Sequence, residues 1–387
     1  MKELEKRLSY FLVDNLFPWV ESKSNKRFYV YILVSFCVGL DLLFVFPKHF
    51  AFYSDAWDVV LLKSQHLTDS LTHIWYGSYL SKKVFRLTVP LIIKIFHMNE
   101  LSVKIMQYAL GITLLVHVYK IALNIFKDGV SATFVVVGTT FTYFGRTSFM
   151  EFEYATFDGW AYCFLILALY FRNRPSIFLF ASAAAWTDER AFIILPALML
   201  FHQIRDIENS DFGRKRLLSM NSSSATVLGA MIGYLALRQF LGIYFHMVML
   251  HGEIGFKVFR YNGIYFPVGI GTFLVCFWLV FIVGIHQMVK QKDALLGLLI
   301  LAQVGISTLV AGFVYDITRS GSYLFPIIFV LLVYLKNRID RNGIRLLTFS
   351  VMTLNYIIPA YCIMRFWSLD HIEGRRIPIE FIKWLIA

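Results

Sequence analysis

SAAAWTDERAFIILP, residues 182–196, sets Asp188, Glu189 and Arg190 side by side inside a run, 176–203, that is otherwise almost entirely apolar. As one membrane-crossing helix, this run would hold three charges near the bilayer centre. Each costs about 2.5–3.5 kcal/mol there on insertion scales. Arg172 and Arg174 precede the run, and Arg205, Arg214, Lys215 and Arg216 follow it. Basic residues favour the cytoplasmic side, so both flanks are expected inside. The run therefore reads as a hairpin of two short helices, 176–186 and 191–203, with 187–190 at the turn. At 1.5 Å per residue the first helix reaches only about 16 Å, roughly half the hydrocarbon core. Such a turn is tolerated only where protein buries it or where it lines a water-filled cavity. Thr187 is the expected N-cap of the returning helix, with Asp188 and Glu189 in its first turn, where the dipole favours negative charge.

Composition agrees with a membrane setting. The 387 residues are 58% hydrophobic and only 16% charged, against about 25% charged in soluble domains. The mean hydropathy is +0.63. The net charge of +12 is spread through short loops, which points to membrane topology rather than to nucleic acid. Cys37, Cys163, Cys276 and Cys362 lie in apolar stretches without a CxxC pattern.

Working outward, apolar runs over 28–47, 101–123, 130–148, 155–171, 222–245, 265–289, 294–314, 321–335 and 343–366 are the further candidate spans. With the hairpin this predicts an all-α polytopic bundle of about eleven crossings, N-terminus cytoplasmic and C-terminus outside. Residues 1–27 read as a cytoplasmic interfacial segment, 28–366 as the transmembrane domain and 367–387 as an extracytoplasmic tail. In the first outer loop, 48–100, residues 55–65 and 84–97 have helical amphipathic spacing. This topology sends the basic loops to one side and the acid-containing clusters to the other.

The charged clusters suggest chemistry. Asp55 and Asp58 stand three apart, on one helix face, and a carboxylate at a lipid–water boundary suits a general base; the alternative is a helix-start acid with a solvated neighbour. Asp316 and Arg319 are spaced for an i,i+3 pair. Arg319, Arg190 and Arg86 are each read either as a phosphate clamp or as part of an interfacial ion pair. Thr318 or Ser320 is expected to cap the helix that follows. Glu151, Glu153 and Asp158 could hold a divalent cation, the one candidate cofactor, or be solvated loop acids. His246, His251 and Glu253 lack zinc-ligand spacing, and no P-loop, GxSxG or HExxH occurs.

The whole-chain pattern then resembles a known family. A first span leads to a long outer loop with an early acid (YSDAWDV, 53–59), amphipathic helices and a basic-Pro phrase (RLTVPL, 86–91), followed by many spans. This looks like the GT-C class of integral membrane glycosyltransferases, of bacterial type. The resemblance implies a polyprenyl-phosphate sugar donor, a glycan or lipid acceptor, and chemistry on the extracytoplasmic face. It implies that an acid in the first outer loop, here Asp55 or Asp58, accepts the proton of the acceptor hydroxyl. Asp188, Glu189, Arg190, Asp316, Arg319 and Arg86 are the expected substrate-binding residues. The expected setting is a bacterial inner membrane, with membrane lipids as further partners. A glycolipid flippase, a polysaccharide polymerase and a silent assembly protein are the other readings. Acids concentrated at the outer boundary favour an enzyme over a transport pathway.

Overall fold

The computed structural model describes residues 10–45, 54–70, 83–150, 155–207, 212, 217–248, 255–263, 266–314, 316–358, 361–363 and 369–371. Helices dominate. They are α1 (Phe17–Ser24), α2 (Tyr29–Val45), α3 (Ser54–Gln65), α4 (Thr88–Phe96), α5 (Glu100–Phe126), α6 (Gly129–Thr140), α7 (Tyr143–Met150), α8 (Asp158–Tyr170) and α9 (Arg174–Thr187). They continue as α10 (Glu189–Ile204), α11 (Ser222–Tyr244), α12 (Phe256–Asn262), α13 (Phe266–Leu274), α14 (Trp278–Gln291), α15 (Ala294–Gly312), α16 (Ile317–Ser322), α17 (Phe325–Leu335) and α18 (Arg341–Ile357). Two three-residue strands, Tyr361–Ile363 and Leu369–His371, pair antiparallel where the last span was expected to run on.

Among the described residues, five helical segments are long and apolar enough to cross a membrane: Glu100–Phe126, Ser222–Tyr244, Phe266–Gln291, Ala294–Gly312 and Ile317–Leu335. Tyr29–Leu42, Gly129–Thr140 and Asp158–Tyr170 are shorter apolar helices.

Three interruptions have local causes. The expected span 130–148 divides after Thr140. In its TTFT run, Thr142 Oγ1 donates to the Thr139 carbonyl (2.6 Å) and accepts from the Gly145 amide (3.3 Å). Threonine hydroxyls compete with the helix ladder in this way. The expected span 265–289 breaks at a 3₁₀ turn, Val275–Phe277, where Val275 adopts φ 48. Asn355 of α18 accepts from the Cys276 amide (2.7 Å) and donates to the Gly138 carbonyl (2.9 Å), so backbone groups beside both breaks are satisfied. The third is the charged hairpin. α9 and α10 meet at Asp188, which is the N-cap: its Oδ1 accepts from the Arg190 amide at 3.0 Å. Thr187, the expected cap, instead ends α9 and donates to the Ala183 carbonyl (2.7 Å). Asp wins because its carboxylate also pairs with arginine, which a hydroxyl does not.

α8 and α17 form the middle of the bundle. Every residue of α17 is buried, and α8 is buried from Asp158 to Leu169. A helix apolar on all sides belongs inside. α9, α10, α5 and α7 pack around α8, and α10 and α14 pack on α17. The starts of α8 and α10 and the α16–α17 junction lie at one end of the bundle. The opposite end is fastened by ion pairs: Asp293 with Arg338, and Asp128 with Arg341 and Arg345 of α18. There Asp128 caps α6 through the Ser131 amide (3.0 Å), and Glu21 of α1 joins the same two arginines. Leu12, Phe17 and Val20 bury against Val130 and Phe134, while Tyr10, Phe11 and Trp19 are exposed. Within the 1–27 segment, helix runs over Tyr10–Ser24, its first part π-helical.

Candidate functional site

Three acids stand at helix starts. Asp158 is the first residue of α8, Asp188 caps α10 and Glu189 is the first residue of α10. The positive end of each helix dipole favours a carboxylate there. Arginines complete the arrangement. Arg190 donates to Asp158 Oδ1 (2.6 Å) and, through Nε and Nη2, to Asp188 (both 2.7 Å). Arg319 donates through Nη2 (2.6 Å) and Nε (3.1 Å) to Asp158 Oδ2, and through Nη1 to Asp316 (2.8 Å). Arg86, just before α4, reaches Asp188 (2.8 Å) and grips both oxygens of Glu189 (2.8 and 3.0 Å).

Neutral groups fix the geometry. Tyr323 donates to Asp158 Oδ1 (2.9 Å), and its ring lies 5.2 Å from the Arg190 guanidinium carbon. Ser320 Oγ accepts from Arg190 (3.2 Å), and Tyr162 donates to the Arg319 carbonyl (3.1 Å). The six residues expected to bind substrate, Arg86, Asp188, Glu189, Arg190, Asp316 and Arg319, therefore lie in one network. The stretches TDERAFIILP (187–196) and DITRSGSYLFP (316–326) meet in space, since Arg190 and Arg319 hold opposite oxygens of one carboxylate.

That carboxylate, Asp158, was grouped in the sequence with Glu151 and Glu153 as a cation site. It is fully buried and saturated by two guanidinium groups, which leaves it no role as a cation ligand. Glu151 and Glu153 lie outside the described residues, and no cluster of three metal-ligating side chains occurs among those described. The signal for Asp158 was in the sequence: it opens an apolar run, DGWAYCFLILALY, as Asp188 opens the returning half of the hairpin. Thr318 and Ser320 do not cap; Thr318 bonds Thr272 (2.7 Å) and Ser320 serves Arg190.

Exposure is graded across the network. Asp158 and Asp188 side chains are 0% and 2% exposed, whereas Glu189 and Asp316 are 36% and 32% exposed. The buried acids fix the arginines, and the exposed acids mark where the network meets its surroundings. Three guanidinium groups face four carboxylates. Lys83, partly buried and 3.4 Å from the Ala155 carbonyl, brings the set to neutrality when protonated. Burial, then the neighbouring Arg86 and Arg319 cations, lower its pKa to about 7; Asp158 and Asp188 oppose this shift.

The two proposed bases are placed differently. Asp55 lies in the first turn of α3, and its side chain is outside the described residues. Asp58 is exposed and makes no hydrogen bond or ion pair among the described residues. Its neighbour Trp57 is buried and meets the Phe157 ring edge-on at 5.8 Å, immediately before Asp158. Consecutive helical residues point about 100° apart, so α3 meets Phe157 through Trp57 while Asp58 stands about a quarter-turn round the helix from that contact, on the exposed side. His246 adopts φ 52 in irregular chain just after α11, and His251 and Glu253 are outside the described residues.

A second ionic feature lies deeper. Asp41 of α2 is 0% exposed and pairs with Arg146 of α7 at 3.5 Å, and neither of its oxygens has a hydrogen-bond partner. Arg146 donates to the Thr140 carbonyl (2.9 Å) and stacks 5.3 Å from the Phe141 ring. Sequence reading passed over Asp41 because a lone acid within a run of Leu and Phe carries no motif.

No family model, curated protein or solved structure matches this chain.

Proposed function

We propose that this chain is an integral membrane glycosyltransferase that moves a sugar from a lipid-phosphate donor to an acceptor hydroxyl. The observation that carries the reading is the gathering of Arg86, Arg190 and Arg319 at one end of an apolar bundle, around acids that stand on helix starts, with the most accessible carboxylates at the edges. Guanidinium groups suit phosphate because their paired N–H donors match its oxygens. A donor phosphate displaces Glu189 from Arg86 or Asp316 from Arg319, since those acids become solvated at low cost. Asp158 and Asp188 stay and keep the guanidinium planes fixed, a preorganised electrostatic site.

In the reaction the acceptor oxygen attacks the anomeric carbon. The bond from that carbon to the phosphate oxygen breaks, and the electron pair leaves with the lipid phosphate. The acceptor proton passes to a carboxylate of α3, Asp55 or Asp58. The network end faces the extracytoplasmic side and the basic end the cytoplasm, by the positive-inside rule. About eleven crossings, the short α9–α10 hairpin among them, in a bacterial inner membrane complete the reading.

Transport of a glycolipid is the second reading, and Asp41–Arg146 favours it, since a charge pair inside the bundle suits a pathway. The test is turnover by the purified protein in proteoliposomes, given radiolabelled polyprenyl-phosphate hexoses and followed by release of polyprenyl phosphate. Release that vanishes in Asp55→Asn or Asp58→Asn, with folding intact, supports the transferase. Release unchanged in both variants, or donor movement between leaflets without release, overturns it.

A further inference from the structure

α8 ends at Tyr170, α9 begins at Arg174 and α10 ends at Ile204, so the base of the charged hairpin lies at the end of the bundle away from the arginine network. A looser ionic cluster stands there. Arg172 Nη2 lies 3.7 Å and Arg205 Nε 3.6 Å from the carboxylate of Asp206, both beyond hydrogen-bond reach. The network arginines hold their buried acids at 2.6–2.8 Å. Arg205 is the informative member. Its side chain is 10% exposed, its Nη1 donates to the Phe171 carbonyl (3.1 Å), and its Nε is buried without a hydrogen-bond partner. A buried N–H left unpaired carries its full desolvation cost, so an acceptor is expected beside it. Asp206 and Arg172 are 59% and 73% exposed, so their contact with each other is weak and the acid yields to water easily. With Arg174 in the same turn, three cations stand against this one acid.

Beside these cations the surface is apolar. Phe178 and Leu179 of α9 are exposed, as are Leu218 and Met220 just before α11. Asn221 Nδ2 donates to the His202 carbonyl (2.7 Å), which fastens the start of α11 to the end of α10 next to Arg205. The Phe171 ring stacks on Phe180 (5.4 Å between centres) and closes the floor between α8 and α9. Cations at a helix boundary, above exposed apolar side chains, match the two halves of an acidic lipid: a phosphate for the guanidinium groups and acyl chains for α9. We propose that Arg205 and Arg172 hold the phosphate of an anionic phospholipid, which displaces Asp206 and ties the ends of α8 and α10 to the start of α9. A zwitterionic lipid brings an ammonium that the same cations repel, and a soluble phosphate leaves Phe178 and Leu179 uncovered. The site is separate from the arginine network and does not depend on what that network binds.

The experiment uses the full chain in phosphatidylcholine vesicles. The probe is phosphatidylglycerol carrying a photoreactive diazirine on an acyl chain, with the labelled peptides identified by mass spectrometry. Label is expected on 176–183 and 217–233, displaced by unlabelled phosphatidylglycerol and not by its free headgroup, glycerophosphoglycerol. Arg172→Gln and Arg205→Gln are each expected to weaken apparent affinity about tenfold, the loss of one charge-assisted contact. Asp206→Asn, which removes the competing acid, is expected to strengthen it. Lys290, exposed in the last turn of α14 at the same end of the bundle, is the control, and Lys290→Gln is expected to leave labelling unchanged. Arg172 is exposed, so its variant reads the site if Arg205→Gln fails to fold. Parental labelling in Arg172→Gln, or weaker labelling in Asp206→Asn, overturns the proposal. An equal loss in Lys290→Gln also overturns it, because the lipid is then drawn to the charged surface as a whole. Equal labelling by a phosphatidylcholine diazirine, or displacement by the free headgroup as strong as by the intact lipid, rules out an anionic phospholipid as the occupant.

Discussion

Arg319 and Asp158 form a two-pronged contact, Nη2 and Nε of the arginine on one carboxylate oxygen at 2.6 and 3.1 Å, while Arg190 takes the other oxygen. The pair joins the start of α8 to α16, which leads into the wholly buried α17, so one carboxylate ties together the two central helices.

Removing that carboxylate's charge strands two buried guanidinium groups. Asp158→Asn is expected to cost about 3–5 kcal/mol, the range for breaking a buried pair from one side. Asp316→Asn, at the exposed edge, should cost about 0–1 kcal/mol. Denaturant unfolding in detergent checks both, and equal losses in the two variants would contradict the buried anchor.

Gly159 follows Asp158, and a Cβ there would meet Ser148 Oγ and the Ser148 backbone, Cα at 2.9 Å. A backbone neighbour cannot swing aside. Gly159→Ala is expected to destabilise by about 1–3 kcal/mol, as overpacked cores do. It should also displace Asp158 from its arginines, seen as weaker polyprenyl-phosphate binding.

Lys83 makes the network sensitive to pH. Its pKa is lowered to about 7 by burial first and then by Arg86 and Arg319. The unfolded chain holds this proton up to about pH 10.4, so between pH 7 and 10 the unfolded state binds more protons and stability rises with pH. Anion binding runs the other way, because deprotonation removes a positive charge from the site. Polyprenyl-phosphate affinity is expected to fall from pH 6 to pH 8 in the parent and to stay level over that range in Lys83→Met. A parental profile in that variant would assign the titration elsewhere.

At the opposite end, burial would raise the Asp128 pKa, but hydrogen bonds from Arg345, Ser131 and Arg341 outweigh it and hold it well below the usual carboxylate range. Glu21 is lowered too, chiefly by the hydrogen bond from Arg345. A depressed acid contributes stability above its unfolded pKa and loses it as pH falls, so the clasp weakens below about pH 4. Hydrogen exchange over Tyr10–Ser24, taken relative to the intrinsic rate at each pH, should quicken on acidification from pH 5 to 3. In Asp128→Asn it should already be fast at neutral pH, where persistent protection would show that apolar packing alone holds the segment.

The order of apolar and polar residues was enough to establish a helical membrane chain. It also divided the 176–203 run at its charges, because placing three charges inside a lipid-spanning helix costs more than turning the chain back. Six of the network's charged residues, Asp158 not among them, were visible as residues that a membrane does not tolerate without a reason. Their convergence was not visible. Arg190 of α10 and Arg319 of α16 meet at one carboxylate only because α10 packs on both α8 and α17, and those contacts depend on ring and side-chain shape, which periodicity does not encode. For the same reason Asp158 passed for a loop acid, Thr187 for a cap and Asp41 for part of an apolar span. Hydrophobic pattern determines which segments leave water; which buried charges then meet is decided by long-range packing, since an ion pair is a property of two positions and the sequence lists them one at a time.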